Sequence, residues 1–257
     1  MGAFIHDFLV WLFLPMSGSH THEVSGWVSW HGRAMVLSWG FLLPLGVLVA
    51  RFFKVTPGQN WPHVLDNKRW WRAHLYGQSV ALLVALVGVL LVWGRNGGTG
   101  VWAQWHGVLG WVVMGSGVAQ ALSGWARGSK GGPTDASLRG DHFDMTPWRK
   151  GFERFHKCLG YLAVAAACVV LALGLVVADA PRWMVLALGG WWLALGSVFA
   201  LLQHQGRCID TYQAIWGPNP RLPGNRMAPI GWGISRYDAA EFKQRFMAKS
   251  TKKEDIP

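Results

Sequence analysis

Five stretches of this chain are apolar for long enough to cross a lipid bilayer, and that constrains its fold more than any other feature of the sequence. They run over about residues 27–53, 71–93, 102–125, 155–178 and 182–204. A bilayer core about 30 Å thick takes a helix of roughly 20 residues. Only 14% of the residues are charged, well short of the roughly 25% usual in soluble domains. The expected class is therefore an all-α integral membrane protein with five transmembrane helices.

Five spans put the two termini on opposite sides of the membrane. Of the 24 lysines and arginines, only Arg33, Arg95 and Arg182 fall on the side of the amino terminus, leaving 21 on the other. Cytoplasmic loops hold the excess of basic residues, so the amino terminus is expected outside and the carboxy-terminal tail inside. This bias, with attraction of the loops to anionic membrane lipid, accounts for the net charge of +11. A nucleic-acid partner is not needed to explain it.

Three segments follow. Residues 1–26 form an extracytoplasmic stretch whose apolar run, 8–16, is too brief to span. It lacks the basic start of a secretory signal and reads as interfacial or re-entrant, with a cleaved signal as the alternative. Residues 27–204 hold the spans. Residues 205–257 are a cytoplasmic, Pro/Gly-rich and basic tail, irregular over 212–220 and 222–232. Its last part, 239–253, reads as a short basic amphipathic helix carrying Phe242, Phe246 and Met247 on one face, for contact with the membrane surface. The loop over 128–147, with Gly131-Gly132-Pro133-Thr134-Asp135, lacks the strand and the Lys-Ser/Thr ending of a phosphate-binding loop. It reads as a connector or a cytoplasmic cap. Cys158, Cys168 and Cys208 make no disulfide framework.

Four histidines stand near the starts of four successive spans. The first and third share local wording, Trp30-His31-Gly32 and Trp105-His106-Gly107; so do the second and fourth, Arg72-Ala73-His74 and Arg154-Phe155-His156. Plausible N-caps precede them at Ser25, Asn67, Thr99 and Thr146, the last followed by Pro147 at the favoured first helical position. At 1.5 Å per residue the imidazoles lie roughly 9 to 15 Å beyond the helix starts, inside the apolar zone, where ionisable groups are costly and usually functional. Successive helices alternate in direction, so His31 can face His106 near the outer side and His74 can face His156 near the inner. A lone intramembrane histidine could simply hydrogen-bond a neighbouring helix. Four, paired by both topology and wording, point to two b-type haems held between facing helices of a four-helix core. No Cys-x-x-Cys-His occurs, so the haems would be bound without thioether links. His20, His22, His63, His142 and His204 read as loop or span-end residues.

Arg72 and Arg154 precede the inner histidines by two residues, and Arg33 follows an outer one by two. A guanidinium suits a haem propionate, although snorkelling and the positive-inside bias also place arginines there. Gly32, Gly77, Gly107, Gly110 and Gly160 recur around the histidines. They would let a flat macrocycle approach the backbone, or serve ordinary helix packing.

These residues resemble the cytochrome b561 family. The sequence from Trp30-His31-Gly32-Arg33-Ala34-Met35 through Leu43-Pro44-Leu45-Gly46 to Ala50-Arg51-Phe52 is similar to that family's first core helix. Glu153-Arg154-Phe155-His156-Lys157-Cys158-Leu159-Gly160-Tyr161 is similar to its fourth. The resemblance covers about residues 27–204 and implies a four-helix bundle with two haems ligated by His31 with His106 and by His74 with His156. The likeness is closer to bacterial forms, and to modules joined to extracytoplasmic redox domains, than to the six-helix members that use ascorbate. It implies an integral protein of the bacterial inner membrane with a periplasmic amino terminus. Val47-Leu48-Val49-Ala50-Arg51 partly resembles the inner substrate stretch of the ascorbate users, implying Arg51 as a contact for a cytoplasmic reductant.

The leading expectation is transmembrane electron transfer between a donor and an acceptor on opposite faces. With two histidines per iron no position is open for oxygen chemistry. The chain could act on its own substrate, a quinol, ascorbate or a ferric chelate, or serve as a carrier or structural subunit. A homodimer and a place in a larger redox complex are both open. A haem-free transporter or scaffold is the third reading, though the paired broken helices of transporters are not evident.

Overall fold

The computed structural model describes residues 2–19, 23–95, 98–129, 131–134 and 140–247. Among these, regular structure is helical apart from two isolated bridges. Five helices are long and apolar enough to cross a membrane: Gly26–Phe52, Arg69–Val92, Val101–Trp125, Pro147–Val177 and Arg182–His204. They are called the first to fifth spans below.

The helix starts follow from local chemistry. Ser25 Oγ accepts from the Val28 amide at 3.5 Å, and Asn67 Oδ1 from the Arg69 amide at 3.0 Å. Thr146 Oγ1 accepts from the Arg149 amide at 3.3 Å. Each side chain satisfies an amide that the first turn leaves without a helical partner. The fourth span begins at Pro147 and not near 155, because cap and proline together start the helix ahead of the apolar stretch. The third opens after Gly100, whose φ of +102° is readily adopted only without a Cβ.

The chain divides into two compact units. The first comprises Met1–Gly46, Tyr76–Gln120 and Leu159–Val198. Its core is Trp39, Leu43, Ala81, Ala85, Val113, Ala163, Ala167, Val170, Leu171 and Leu188. Ala81, Ala85 and Gly88 recur at helical spacing and are buried, so this face of the second span offers no bulk and neighbouring backbones come close. Ser38 Oγ donates to the Ala81 carbonyl at 2.7 Å. The first span relaxes into a π turn over Val36–Leu42, which buries Ser38, Trp39 and Gly40; such segments are uncommon and frequent at functional sites. A Cβ at Gly117 would stand 3.2 Å from the Trp39 ring, so glycine leaves room for the indole.

The amino-terminal helix, Gly2–Phe13, has 12 residues and is about 18 Å long, too short to span. It is tied to the turn before the fifth span. Met16 and Arg182 amides donate to the Ala180 and Leu14 carbonyls, Ser17 binds the Asp179 carboxylate through amide and hydroxyl, and Arg182 lies over the Trp11 ring and donates to its carbonyl.

The second unit comprises Val47–Leu75, Ala121–Cys158 and Phe199–Pro257. The tail expected to be irregular is folded in it. Trp61, Val55, Ile209, Ala214, Tyr237 and Phe242 form one buried cluster, and Met145, Tyr212 and Ile230 another. Asp210 caps the short helix Thr211–Trp216 and pairs with Arg236 at 2.6 Å. Arg236 also donates to the carbonyls of Gly224, Asn225 and Met227. Asp238 and Glu241 form a capping box. The face expected on a membrane surface turns inward: Phe242 is buried and its ring lies 4.7 Å from Trp61. Residues 248–253 of that expected helix lie outside the described residues.

Candidate functional site

Each unit holds one histidine pair. In the first, the rings of His31 and His106 have centres 6.2 Å apart with planes at 84°. In the second, His74 and His156 are also 6.2 Å apart, at 76°. The pairing expected from span alternation is thus present in both. Two imidazoles bonded through Nε2 at about 2.0 Å to opposite sides of one metal ion put their ring centres about 6 Å apart.

Nδ1 of three of the four rings is held. His31 Nδ1 lies 2.8 Å from the Gly88 carbonyl and His106 Nδ1 lies 3.1 Å from the Val170 carbonyl. A carbonyl can only accept, so Nδ1 carries the proton and Nε2 keeps its lone pair, the form that binds a metal. His156 Nδ1 stands 3.0 Å from Ser123 Oγ, and Phe152 packs 5.1 Å from its ring. Among the described residues no three histidines, cysteines or carboxylates converge, so each site offers two imidazoles and no further side-chain ligand of these kinds.

Glycines shape the space around the rings. A Cβ at Gly174 would stand 2.9 Å from His106 Cε1, and one at Gly124 would stand 3.6 Å from His156 Cε1. At Gly32, Gly77 and Gly107 a Cβ would meet nothing within 4 Å. The donor set and the ring separation fit a b haem at each pair. Gly88, Val170, Ser123, Gly124 and Gly174 carry no motif that the sequence could offer as a signal.

The arginines divide. Arg33 is exposed and stacks on Trp30 at 4.8 Å; Arg72 and Arg154 are exposed beside their histidines. Arg51 is buried. Its guanidinium donates to Gln203 Oε1 at 2.8 Å and to the Trp232 carbonyl at 3.0 Å, and lies 4.2 Å from the Trp232 ring.

A polar cluster that sequence reasoning missed also lies in the second unit. His142, expected at a surface, is fully buried. Its Nε2 lies 3.3 Å from Glu153, which also meets Arg149 at 3.5 Å and Lys157 at 2.8 Å. Burial, and then Arg149, hold the His142 imidazole down to about 4 because its charged form would be desolvated beside a cation. Lys54, just beyond the first span, is lowered to about 8 by burial and by Lys157; its ammonium donates to the Ile209 carbonyl at 3.0 Å. His63 and His204 are exposed, while His20 and His22 lie outside the described residues.

A cytochrome b561, DM13 and DOMON domain-containing protein of Arabidopsis thaliana is 28% identical over 145 residues, 56% of this chain and 14% of that protein. The likeness supports the cytochrome b561 family. A second Arabidopsis protein, named for cytochrome b561 and DOMON domains, is 30% identical over 148 residues, 56% of this chain and 27% of its own length. Human ferric-chelate reductase 1 is 29% identical over 121 residues, 47% of this chain and 19% of the reductase. The chain thus spans between about a seventh and about a quarter of the b561-type relatives it matches. No family model and no solved structure matches it. The five apolar helices and the likeness to cytochrome b561 proteins together support an integral membrane protein.

Proposed function

We propose that this chain moves electrons across a membrane, one at a time, between a donor on one face and an acceptor on the other. The carrying observation is the pair geometry: two imidazoles 6.2 Å apart in each unit. A b haem bound at each pair supplies one-electron redox chemistry, with iron held by His31 and His106 at one site and by His74 and His156 at the other. The protein's own part is orientation. Carbonyls of Gly88 and Val170 fix two rings with Nε2 forward, and Ser123 holds a third. Arg33, Arg72 and Arg154 are the proposed partners of the propionates.

Two imidazoles at each site leave no open coordination position, which favours carrying electrons over activating a ligand. The spans alternate, and the histidines of each pair stand near the same ends of alternate helices, so the pairs serve opposite faces. By the bias of basic residues, the His31 and His106 pair serves the outer face of a bacterial inner membrane and the other pair the cytoplasmic face. A ferric chelate as outer acceptor is favoured by the likeness to ferric-chelate reductase 1.

The test is a dithionite-reduced minus oxidised spectrum of the purified protein, with pyridine-haemochrome quantification per chain, for the wild type and for His31→Ala and His74→Ala. Two b haems falling to about one in each variant is the expected result. Protein without haem after expression with ample haem would refute the proposal and return the chain to the transporter or scaffold reading.

A further inference from the structure

Within the second unit, the end of the third span and the start of the fourth enclose an open cleft of about 570 Å³, lined from the third by Ser123 and Ala126 and from the fourth by Trp148, Gly151, Phe152 and Phe155. The Trp148 indole donates to the Ala126 carbonyl at 2.9 Å, so the two helix ends stand level. The apolar stretch of the fourth span begins only near residue 155, which sets the cleft at the depth of lipid headgroups, where a membrane-crossing helix carries its charged and aromatic side chains. Trp148 and Phe155 are exposed there. The wall segments 123–128 and 147–155 carry Arg127, Arg149, Lys150 and Arg154 against a single carboxylate, Glu153, which Arg149 and Lys157 already meet. Arg149 is buried beside the wall, its guanidinium 4.9 Å from the Phe152 ring, and its Nη1 has no hydrogen-bond partner among the described residues. Arg127 lies 4.9 Å over the Trp71 ring. Asp141 approaches the same edge beside Gly128. Burial raises its carboxyl in spite of the attraction of Arg149 and Arg127, and neither oxygen finds a hydrogen-bond partner among the described residues, so it is a poor counter-ion for either arginine.

We propose that this cleft binds an anionic phospholipid, with its phosphate between Arg127 and Arg149 and the first carbons of an acyl chain along Trp148, Phe152 and Phe155. The inference does not rest on the proposed electron transfer. A guanidinium meets a phosphate through two parallel N–H···O bonds, and a buried one with an idle nitrogen gains most from such an acceptor. A soluble anion would satisfy the arginines and leave the apolar wall in water. A zwitterionic lipid would bring its own cation to an edge that is already positive. An acidic lipid meets both demands, as such lipids do in basic pockets between spans. It also bridges the ends of the helices that carry Ser123 and His156, and so steadies the hydrogen bond between them.

The full chain, purified in detergent and stripped of lipid, is titrated with short-chain phosphatidylglycerol, with the matching phosphatidylcholine and with glycerol phosphate, and bound molecules are counted by native mass spectrometry. A Cβ at Gly151 meets nothing within 4 Å, so Gly151→Leu fills the cleft without a backbone clash. Arg127→Gln removes one cation, Arg127→Lys keeps the charge without the fork, and Gly190→Leu, equally open on the fifth span, is the control. The expected result is one tight phosphatidylglycerol per chain, preferred over phosphatidylcholine by about tenfold or more. Arg127→Gln should abolish that preference, Arg127→Lys should retain part of it, Gly151→Leu should weaken both lipids, and Gly190→Leu should change neither. Equal affinity for the two lipids in the wild type, which needs no variant to fold, overturns the proposal, as does a preference that Arg127→Gln leaves intact. Glycerol phosphate that binds as tightly as phosphatidylglycerol and is indifferent to Gly151→Leu replaces it with a site for a soluble anion. Haem-free protein would sink the electron-transfer reading and leave this test as it stands.

Discussion

Replacing Gly174 by alanine should dismantle one histidine site and spare the other. The new Cβ would start 2.9 Å from His106 Cε1 and 3.4 Å from its Nδ1. Non-bonded carbons settle at about 3.5–4.0 Å, so the ring must retreat by about 0.6–1.1 Å. That movement works against the 3.1 Å contact between His106 Nδ1 and the Val170 carbonyl, and it exceeds the roughly 0.5 Å within which a ligand set must be held. Pyridine-haemochrome quantification with low-temperature electron paramagnetic resonance should find about one haem per chain, or one centre with altered axial ligation, beside an undisturbed second centre. Gly190→Ala, where the added methyl meets nothing within 4 Å, should keep both. Two haems with unchanged resonances and potentials in Gly174→Ala would refute the argument that this glycine seats the imidazole.

Ser123→Ala removes the acceptor facing His156 Nδ1. A less strongly held Nδ1 proton makes a less basic ligand, so redox titration should show one of two midpoint potentials raised and the other unmoved. His142 is lowered to about 4 in the folded chain against about 6.5 unfolded. The fold therefore favours its neutral form, and the stability this contributes is full above pH 6.5 and lost as pH falls towards 4. The ceiling is about 3 kcal/mol, and thermal melts in detergent should show a loss over that window that His142→Gln flattens. Arg236→Ala removes the guanidinium that meets the buried Asp210 carboxylate and three carbonyls. A cost of about 2–3 kcal/mol is expected, read as faster proteolysis within 205–247 with both haems retained.

The spans and the histidine pairs were legible because both are encoded locally: apolar length decides crossing, helix alternation decides which histidines face, and the two wordings agree with it. What surrounds the histidines was not. The Ser123 hydroxyl meets a ring 33 residues away and Gly174 works by what it lacks, so neither leaves a mark in its own neighbourhood. The π turn at Val36–Leu42 holds Ser38 and ends two residues before Pro44, whose missing amide hydrogen interrupts regular helix bonding. The tail misled because a Pro/Gly-rich composition describes its short-range freedom, while its order comes from pairings such as Trp61 with Phe242 and Lys157 with the Ile230 carbonyl at 2.7 Å. The same blindness hid His142, whose burial depends on Tyr212 and Glu153.

The burial of Trp61 against Phe242 also sets an order on biosynthesis. Trp61 leaves the ribosome about 180 residues before its partner, which at roughly 5–20 residues per second is a wait of some ten seconds or more. Throughout that interval the segment that includes Arg51, Lys54 and Trp61 lacks the part of the chain that covers it. A chain that stalls after its fifth span, or is clipped there, would have all its crossings and still expose an apolar surface, a ready mark for quality control to distinguish unfinished from finished copies.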